Sequence, residues 1–289
     1  MFLFACICLV FTQTVFGSGK TAGLQLPEIV QEDSPATVAI FHWAHDENNQ
    51  ITLNGTGVIG TGFLVGRDGY FITANHIVET FKASELAVDI RDQADNSSGI
   101  HFDVIERDKD HDLALCKLQI SRLFKKKDLK SPPDRPESSF HPATSLKVAS
   151  SMPIQGDEIA IMGYPLGSIL TPVIQSGNIG ATNAMLLAVR NPAESKGGRL
   201  IISVSGNHGN SGGPVISRTT GEVLGMISQY VPTPLLESDG KTLSGPDGNP
   251  INMQSGLLVA VPAKWIMEIM QRHGVDNSPV RLREDLFWF

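Results

Sequence analysis

A serine set among glycines is where this chain first looks capable of chemistry. The segment reads Gly206-Asn207-His208-Gly209-Asn210-Ser211-Gly212-Gly213-Pro214-Val215-Ile216. Glycine adopts backbone angles that side chains resist, so Ser211 can sit on a tight turn with its hydroxyl exposed. The same freedom lets backbone N–H groups converge on one point, as stabilising a developing oxyanion requires. Taken alone, the segment also reads as a plain glycine-rich turn. A serine hydroxyl is a weak nucleophile until a base takes its proton. Eight histidines could serve: His42, His45, His76, His101, His111, His141, His208 and His273. His76 stands out, because Thr73-Ala74-Asn75-His76 follows the strand-like run Tyr70 to Thr73, and side chains at a strand end can face a cleft. His208 is close to Ser211 along the chain, which does not supply hydrogen-bond geometry, and it reads as a loop residue. His42 and His45 have metal-ligand spacing only on a helix, and their surroundings read as strand and loop. No acidic or cysteine pattern completes a zinc site, so no metal is expected.

The base in turn needs an orienting carboxylate. Arg107-Asp108-Lys109-Asp110-His111-Asp112-Leu113 offers three. Asp112 abuts the apolar run Leu113-Ala114-Leu115-Cys116 and is the best placed for partial burial. Asp108 and Asp110 are expected in a charged, solvated turn. For any one of the three, capping a turn is the competing role.

The elements that must position these residues are mostly strands. Thr37 to Phe41, Leu86 to Ile90 and Leu113 to Ile120 are apolar runs bounded by turn residues. Gly62 to Val65 and Tyr70 to Thr73 flank Gly66-Arg67-Asp68-Gly69, a hairpin signal. Strand patterns return at Glu158 to Gly163, Leu200 to Val204, Glu222 to Ile227 and Leu257 to Val261. Residues 121–142, with Lys125-Lys126-Lys127 and Pro132-Pro133, read as a polar connector, and Pro232 to Pro250 as a second loop. Only Pro262 to His273 reads as a helix: Trp265, Ile266, Ile269 and Met270 recur at three-to-four spacing and Gly274 follows as a stop. This pattern predicts an all-β protein of two six-stranded antiparallel β-barrels with a C-terminal helix. The barrels are expected over residues 25–130, holding His76 and Asp112, and 141–275, holding Ser211 and the helix.

Composition narrows the function classes. The 289 residues are 41% apolar and 18% charged, with a formal charge of -7. That is core-forming and acidic, opposite in sign to a phosphate-reading nucleic-acid binder. No apolar run reaches the 18 or so residues of a membrane span. The run Phe2 to Val10, with Val15 and Gly17 ahead of Ser18, reads as a signal peptide over residues 1–17, although no basic residue precedes it. Export to the periplasm or outside the cell follows. Cys6 and Cys8 would leave with the signal, and Cys116 is expected as a small core residue, so no internal disulfide is expected. Asn54-Gly55-Thr56 and Asn96-Ser97-Ser98 match glycosylation acceptors, relevant only in a eukaryotic source.

The residues together resemble a chymotrypsin-fold serine protease, and within that group the HtrA/DegP family. The resemblance rests on Thr61-Gly62-Phe63-Leu64-Val65, Asp68 to Val78, Asp112-Leu113-Ala114-Leu115, Gly163-Tyr164-Pro165-Leu166-Gly167, Ser176-Gly177-Asn178-Ile179, Gly209 to Pro214 and Val259-Ala260-Val261-Pro262. Glu28 to Ile40 resembles the family's opening strand. The match runs over roughly residues 27–275, with His, Asp and Ser in the family's order. It implies a serine endopeptidase acting through an acyl-enzyme on polypeptides, in protein quality control, without cofactor. His76 would be the general base, Asp112 its orienter and Ser211 the nucleophile. Gly209, Asn210 and Ser211 would form the oxyanion hole. Ser228 matches the serine beside the catalytic aspartate on the strand that pairs with substrate. Ser205, six residues before the nucleophile, falls at the base of the specificity pocket, with Leu257 and Leu258 as lining. Homotrimers are common in the family. A PDZ domain that usually follows the protease is not expected here, and His208 stands where a proline is common, which leaves the resting shape of the oxyanion loop open.

Two other functions compete. Gly209-Asn210-Ser211-Gly212-Gly213 also satisfies the nucleophile elbow of α/β-hydrolases, but that fold needs alternating helices and a histidine after the serine, where only His273 is available. A catalytically silent protease-like module that binds unfolded polypeptides is the other. In proteases activated by cutting, an aspartate before the nucleophile pairs with a freed N-terminal amine; here that residue is Asn210. A chain extended ahead of Ser18 is therefore expected to keep its activity, and complete loss in that variant would contradict the reading.

Overall fold

The computed structural model describes residues 23–42, 44–45, 51–52, 57–89, 100–119, 144–165, 172–184 and 198–280. The N-terminal apolar run, both glycosylation patterns and the connector at 121–142 lie outside them. The first sheet is built from β1 (Thr37–His42), β4 (Val58–Val65), β5 (Tyr70–Thr73), β6 (Leu86–Asp89), β7 (Phe102–Asp108) and β8 (Leu113–Leu118). Two short strands, β2 (Ala44–His45) and β3 (Ile51–Thr52), pair with each other apart from it. The second sheet uses β9 (Glu158–Gly163), β10 (Val173–Ala184), β11 (Arg199–Ser203), β12 (Pro214–Ser217), β13 (Val223–Pro234) and β14 (Asn252–Pro262).

Both are six-stranded and antiparallel, as expected, but they close differently. The second is a complete barrel in the order β10-β11-β14-β13-β12-β9. The first runs β6-β1-β4-β5-β8-β7, and its ends meet at a bridge in which Val88 and Ile100 exchange two backbone hydrogen bonds of 2.9 and 2.8 Å. The β4–β5 hairpin falls where the Gly66 to Gly69 signal put it, and both glycines have positive φ, +64° and +73°. The apolar faces of the two barrels merge into one continuous core. Cys116 lies inside it with no exposed surface, and burial pushes its thiol pKa far up, as for an inert packing residue.

Helices depart from the sequence reading. The C-terminal helix, α3 (Ala263–Arg272), is present and buries Ile266, Ile269 and Met270. Two others have no counterpart in that reading. Residues expected as part of an opening strand form α1 (Leu26–Asp33) and a 3₁₀ turn (Ser34–Ala36) before β1 begins. Glu28 explains the start of α1: its carboxylate accepts the Gln25 N–H at 2.8 Å, and Pro27 in the first turn loses no helical bond. The other, α2 (Asn75–Glu79), is a single short turn after β5. The strands of the second barrel also run longer than their apolar cores: β13 and β14 extend as a paired arm to Pro234 and Asn252, through residues expected as loop, because cross-strand pairing outweighs their weak propensity.

Asp33 closes α1 with 4% of its surface exposed. Burial raises its carboxyl pKa from the ordinary 3.8 to about 7. A carboxyl raised on folding gives stability that is complete below its unfolded pKa and is lost as pH rises through the folded one. Asp33→Asn should therefore raise Tm by about 5 °C at pH 8 and leave it unchanged near pH 4; equal shifts at both pH values in thermal melts would remove this assignment.

Candidate active site

His76 sits on α2 rather than on a strand end. The helix follows β5 by one residue and projects the imidazole to a half-exposed position, with 50% of the side chain accessible. Asp112 precedes β8, is buried, and has φ +55°, a left-handed conformation uncommon for a residue with a side chain. Its carboxylate receives the His76 backbone N–H at 2.9 Å. The imidazole Nδ1 lies 3.1 Å from Oδ1 and 2.9 Å from Oδ2. A carboxylate only accepts, so Nδ1 carries the proton, and in the neutral ring Nε2 is left as the acceptor.

The second barrel supplies the next contact. Ser228 Oγ donates to Asp112 Oδ2 at 2.5 Å. It can do so because the β13–β14 register slips between Ile227 and Gln229; a bulge re-aims a side chain without ending the strand. The Ser228 carbonyl accepts the Ser211 hydroxyl at 3.1 Å. Ser211, Ser228, Asp112 and His76 thus form one chain of contacts across the seam between the barrels.

Glycines shape the turn that carries Ser211. Gly209 and Gly212 have φ of +96° and +84°. A Cβ on Gly209 would lie 2.1 Å from the Tyr164 carbonyl oxygen, and one on Gly212 1.9 Å from that of Thr61. Backbone is therefore packed against backbone, which only glycine permits. Asn210 does not fit its expected part in an oxyanion hole, since its N–H donates to the Asn207 carbonyl at 3.1 Å. Among the described residues, the amides of Gly209 and Ser211 have no protein acceptor. The Asn210 side chain is 3% exposed and lies against Gly163. A charge there would be buried, consistent with the uncharged residue.

Thr61 enters the sequence reading only as part of a match, yet it holds this turn from both sides. Its Oγ1 donates to the Gly209 carbonyl at 2.6 Å and accepts the Tyr164 N–H at 3.0 Å. Its own N–H donates to the Ser211 carbonyl at 2.8 Å. Thr73 Oγ1 donates to the Thr61 carbonyl at 2.7 Å. The available signal is a polar residue between glycines in an otherwise apolar strand, Gly60-Thr61-Gly62-Phe63. These contacts hold the loop in shape with His208 in place of proline; the His208 ring instead meets Tyr230 edge-on at 5.5 Å.

The expected pocket residues separate. Leu258 is buried, and its methyl carbons lie 2.6 and 2.7 Å from where a Gly206 Cβ would stand, so it packs against the segment that starts at Ser205. Leu257 is the next residue on β14, and neighbouring strand residues face opposite ways. The two leucines cannot line one pocket. Ser205 is exposed. No Asp or Glu occurs in residues 199–221, 223–236 or 248–263, the segments around it. His42 stacks on Phe81 at 3.9 Å. Among the described residues, no three His, Cys, Asp or Glu are grouped as metal ligands, and no helix is long and apolar enough to cross a membrane.

The family model of the trypsin-like peptidase domain matches residues 60–226. The chain belongs to this family. Curated relatives of the chain include proteins named as DegP-like and HtrA proteases. A probable periplasmic serine endoprotease DegP-like of Hahella chejuensis (strain KCTC 2396) is 29% identical over 170 residues, covering 59% of this chain and 29% of that protein. The protein of the same name from Pseudomonas fulva (strain 12-X) is 29% identical over 171 residues, with the same shares. The serine protease Do-like HtrA of Bacillus subtilis (strain 168) is 22% identical over 241 residues, covering 78% of this chain and 47% of that protein. The chain therefore spans between 29% and 47% of the length of these three relatives.

Thr61→Val keeps shape but removes both hydroxyl bonds, the one to the Gly209 carbonyl of the loop and the one from the Tyr164 N–H. It should slow fluorophosphonate labelling of Ser211 about tenfold with little change in the circular dichroism spectrum. Labelling at the unmodified rate would show that Thr61 does not support the turn.

Proposed function

We propose that the protein is a serine endopeptidase, with Ser211 as nucleophile, His76 as general base and Asp112 as its orienter. The observation that carries this reading is the Asp112 carboxylate, gripped at once by the His76 imidazole and the Ser228 hydroxyl. With Nδ1–H directed at Asp112, Nε2 is the nitrogen that takes the Ser211 proton as Oγ attacks the scissile carbonyl carbon. The hydroxyl must first turn from the Ser228 carbonyl toward Nε2. The oxyanion forms at the Gly209 and Ser211 amides. As the tetrahedral adduct collapses, the imidazolium returns its proton to the leaving amine and an acyl-enzyme remains. Water, deprotonated by the same imidazole, then frees Ser211.

Specificity follows from charge. A lysine or arginine entering beside Ser205 and Leu258 would find no carboxylate in the flanking segments to pair its cation, and the more of it binding covers the more this costs. Cleavage after small or medium apolar residues is the expected preference. The relatives' names and the N-terminal apolar run support an exported enzyme acting on polypeptides. The family resemblance supports a role in protein quality control and a homotrimer.

Fluorophosphonate labelling and casein digestion test the reading together. The intact protein should do both and Ser211→Ala neither. Failure of the intact protein in both assays would favour a silent polypeptide-binding module. A peptide library cut mainly after lysine or arginine would overturn the pocket assignment alone.

A further inference from the structure

The turn that carries Asp112 is fastened at every residue. Glu106 receives Arg272 Nε at 3.1 Å and Nη2 at 2.6 Å, and also meets the His273 ring. Arg107 Nη2 donates to the Val78 carbonyl at 3.0 Å. Asp108 accepts the His111 N–H at 3.1 Å and lies 2.7 Å from its Nδ1. Lys109 bonds Glu79. The Asp110 carbonyl accepts Arg199 Nη2 at 3.1 Å. The His111 ring stacks on Trp265 of α3, centroids 3.8 Å apart and planes 22° from parallel. The Asp112 carbonyl accepts the Asn75 N–H at 3.2 Å.

A solvated turn is the sequence expectation for Asp108 and Asp110. The Asp110 side chain is exposed, but the backbone beneath it is held by a guanidinium with no exposed surface. Arg199 opens β11, so this contact crosses from the second barrel to the first. A buried arginine is costly unless its donors are used, and this one directs a donor to the carbonyl two residues before Asp112. Asp112 itself has the strained φ of +55°, which persists only where its surroundings over-determine it. Trp265 supplies the same restraint from α3.

We propose that Arg199 and the His111–Trp265 stack are positioning residues: they hold the Asp112 carboxylate in line with His76 from outside the site. The proposal rests on the protease reading above. A misdirected carboxylate still leaves a folded protein, but it stabilises the imidazolium less, and proton transfer slows.

The test compares wild type, Arg199→Met, Arg199→Lys, Trp265→Leu and Ser211→Ala on a casein-derived fluorogenic peptide. Working enzyme is counted by fluorophosphonate titration, so that unfolded protein does not enter the rates. Per active site, Arg199→Met should lose about 10- to 100-fold in kcat/KM, mostly in kcat. The acid limb of its pH profile should move to lower pH. Arg199→Lys should fall between it and wild type, and Trp265→Leu should show a smaller loss with the same shift of the acid limb. If Arg199→Met and Trp265→Leu stay within about twofold of wild type, with the acid limb unmoved, the proposal is overturned even where Tm drops. If Arg199→Met does not fold, Trp265→Leu decides by the same readings. Activity retained by Ser211→Ala would instead overturn the protease reading itself, and is recognised before the other variants are compared.

Discussion

A carboxylate buried where two barrels meet is stable only if donors reach it from both sides. Asp112 is 6% exposed and ionised carboxylates are rarely buried without partners. His76 reaches it from the first barrel with two N–H groups, and Ser228 reaches it from the second with one hydroxyl. Much else in the structure follows from this demand. The short helix α2 turns both the amide and the ring of His76 toward the carboxylate. The slip in the β13 register frees Ser228 to face it. The left-handed backbone at Asp112 aims the carboxylate into the seam.

The turn that carries Ser211 obeys a different constraint, space. Gly209, Gly212 and Gly213 lie so close to the carbonyls of Tyr164, Thr61 and Met162 that a Cβ at any of them would overlap an oxygen. The loop can therefore be held by backbone and by one threonine, with no large side chain wedging it. Thr61 fixes the carbonyls on either side of Asn210. The peptide between them cannot turn over without breaking a buried bond, which costs about 1–3 kcal/mol. In the proposed mechanism, that rigidity keeps the Gly209 and Ser211 amides available to a developing oxyanion.

Strands with strong apolar content are legible from the residues alone. β9 occupies Glu158–Gly163 as expected, and β5 and the turn before it follow their glycine signals. The helices α1 and α2 are not legible, because a helix of one or two turns lacks a repeat long enough to show its period, and its caps are local. β7 also escapes the pattern: Phe102-Asp103-Val104-Ile105-Glu106 mixes charge with apolar residues because one face lies against solvent and neighbouring ion pairs. At the site, residue identity and order point to His76, Asp112, Ser211 and Ser228, which the fold connects. The Asn210 amide and the Leu257 side chain depart from their expected parts, since neither hydrogen-bond direction nor strand face can be read from residue type. Thr61, Arg199 and Trp265 act through contacts with residues far away along the chain, which no local pattern encodes.

In the proposed mechanism, activation of Ser211 depends on the carboxylate of Asp112 holding the His76 ring with Nδ1 protonated. The substitution Asp112→Asn keeps the side-chain volume but lets an amide favour the other tautomer. The rate at which Ser211 takes a fluorophosphonate, followed by intact-protein mass spectrometry, should then fall by about a thousandfold or more while the fold persists. Labelling of the Asp112→Asn variant at the unmodified rate would contradict this mechanism, because the serine would then be activated without the Asp112–His76 contact.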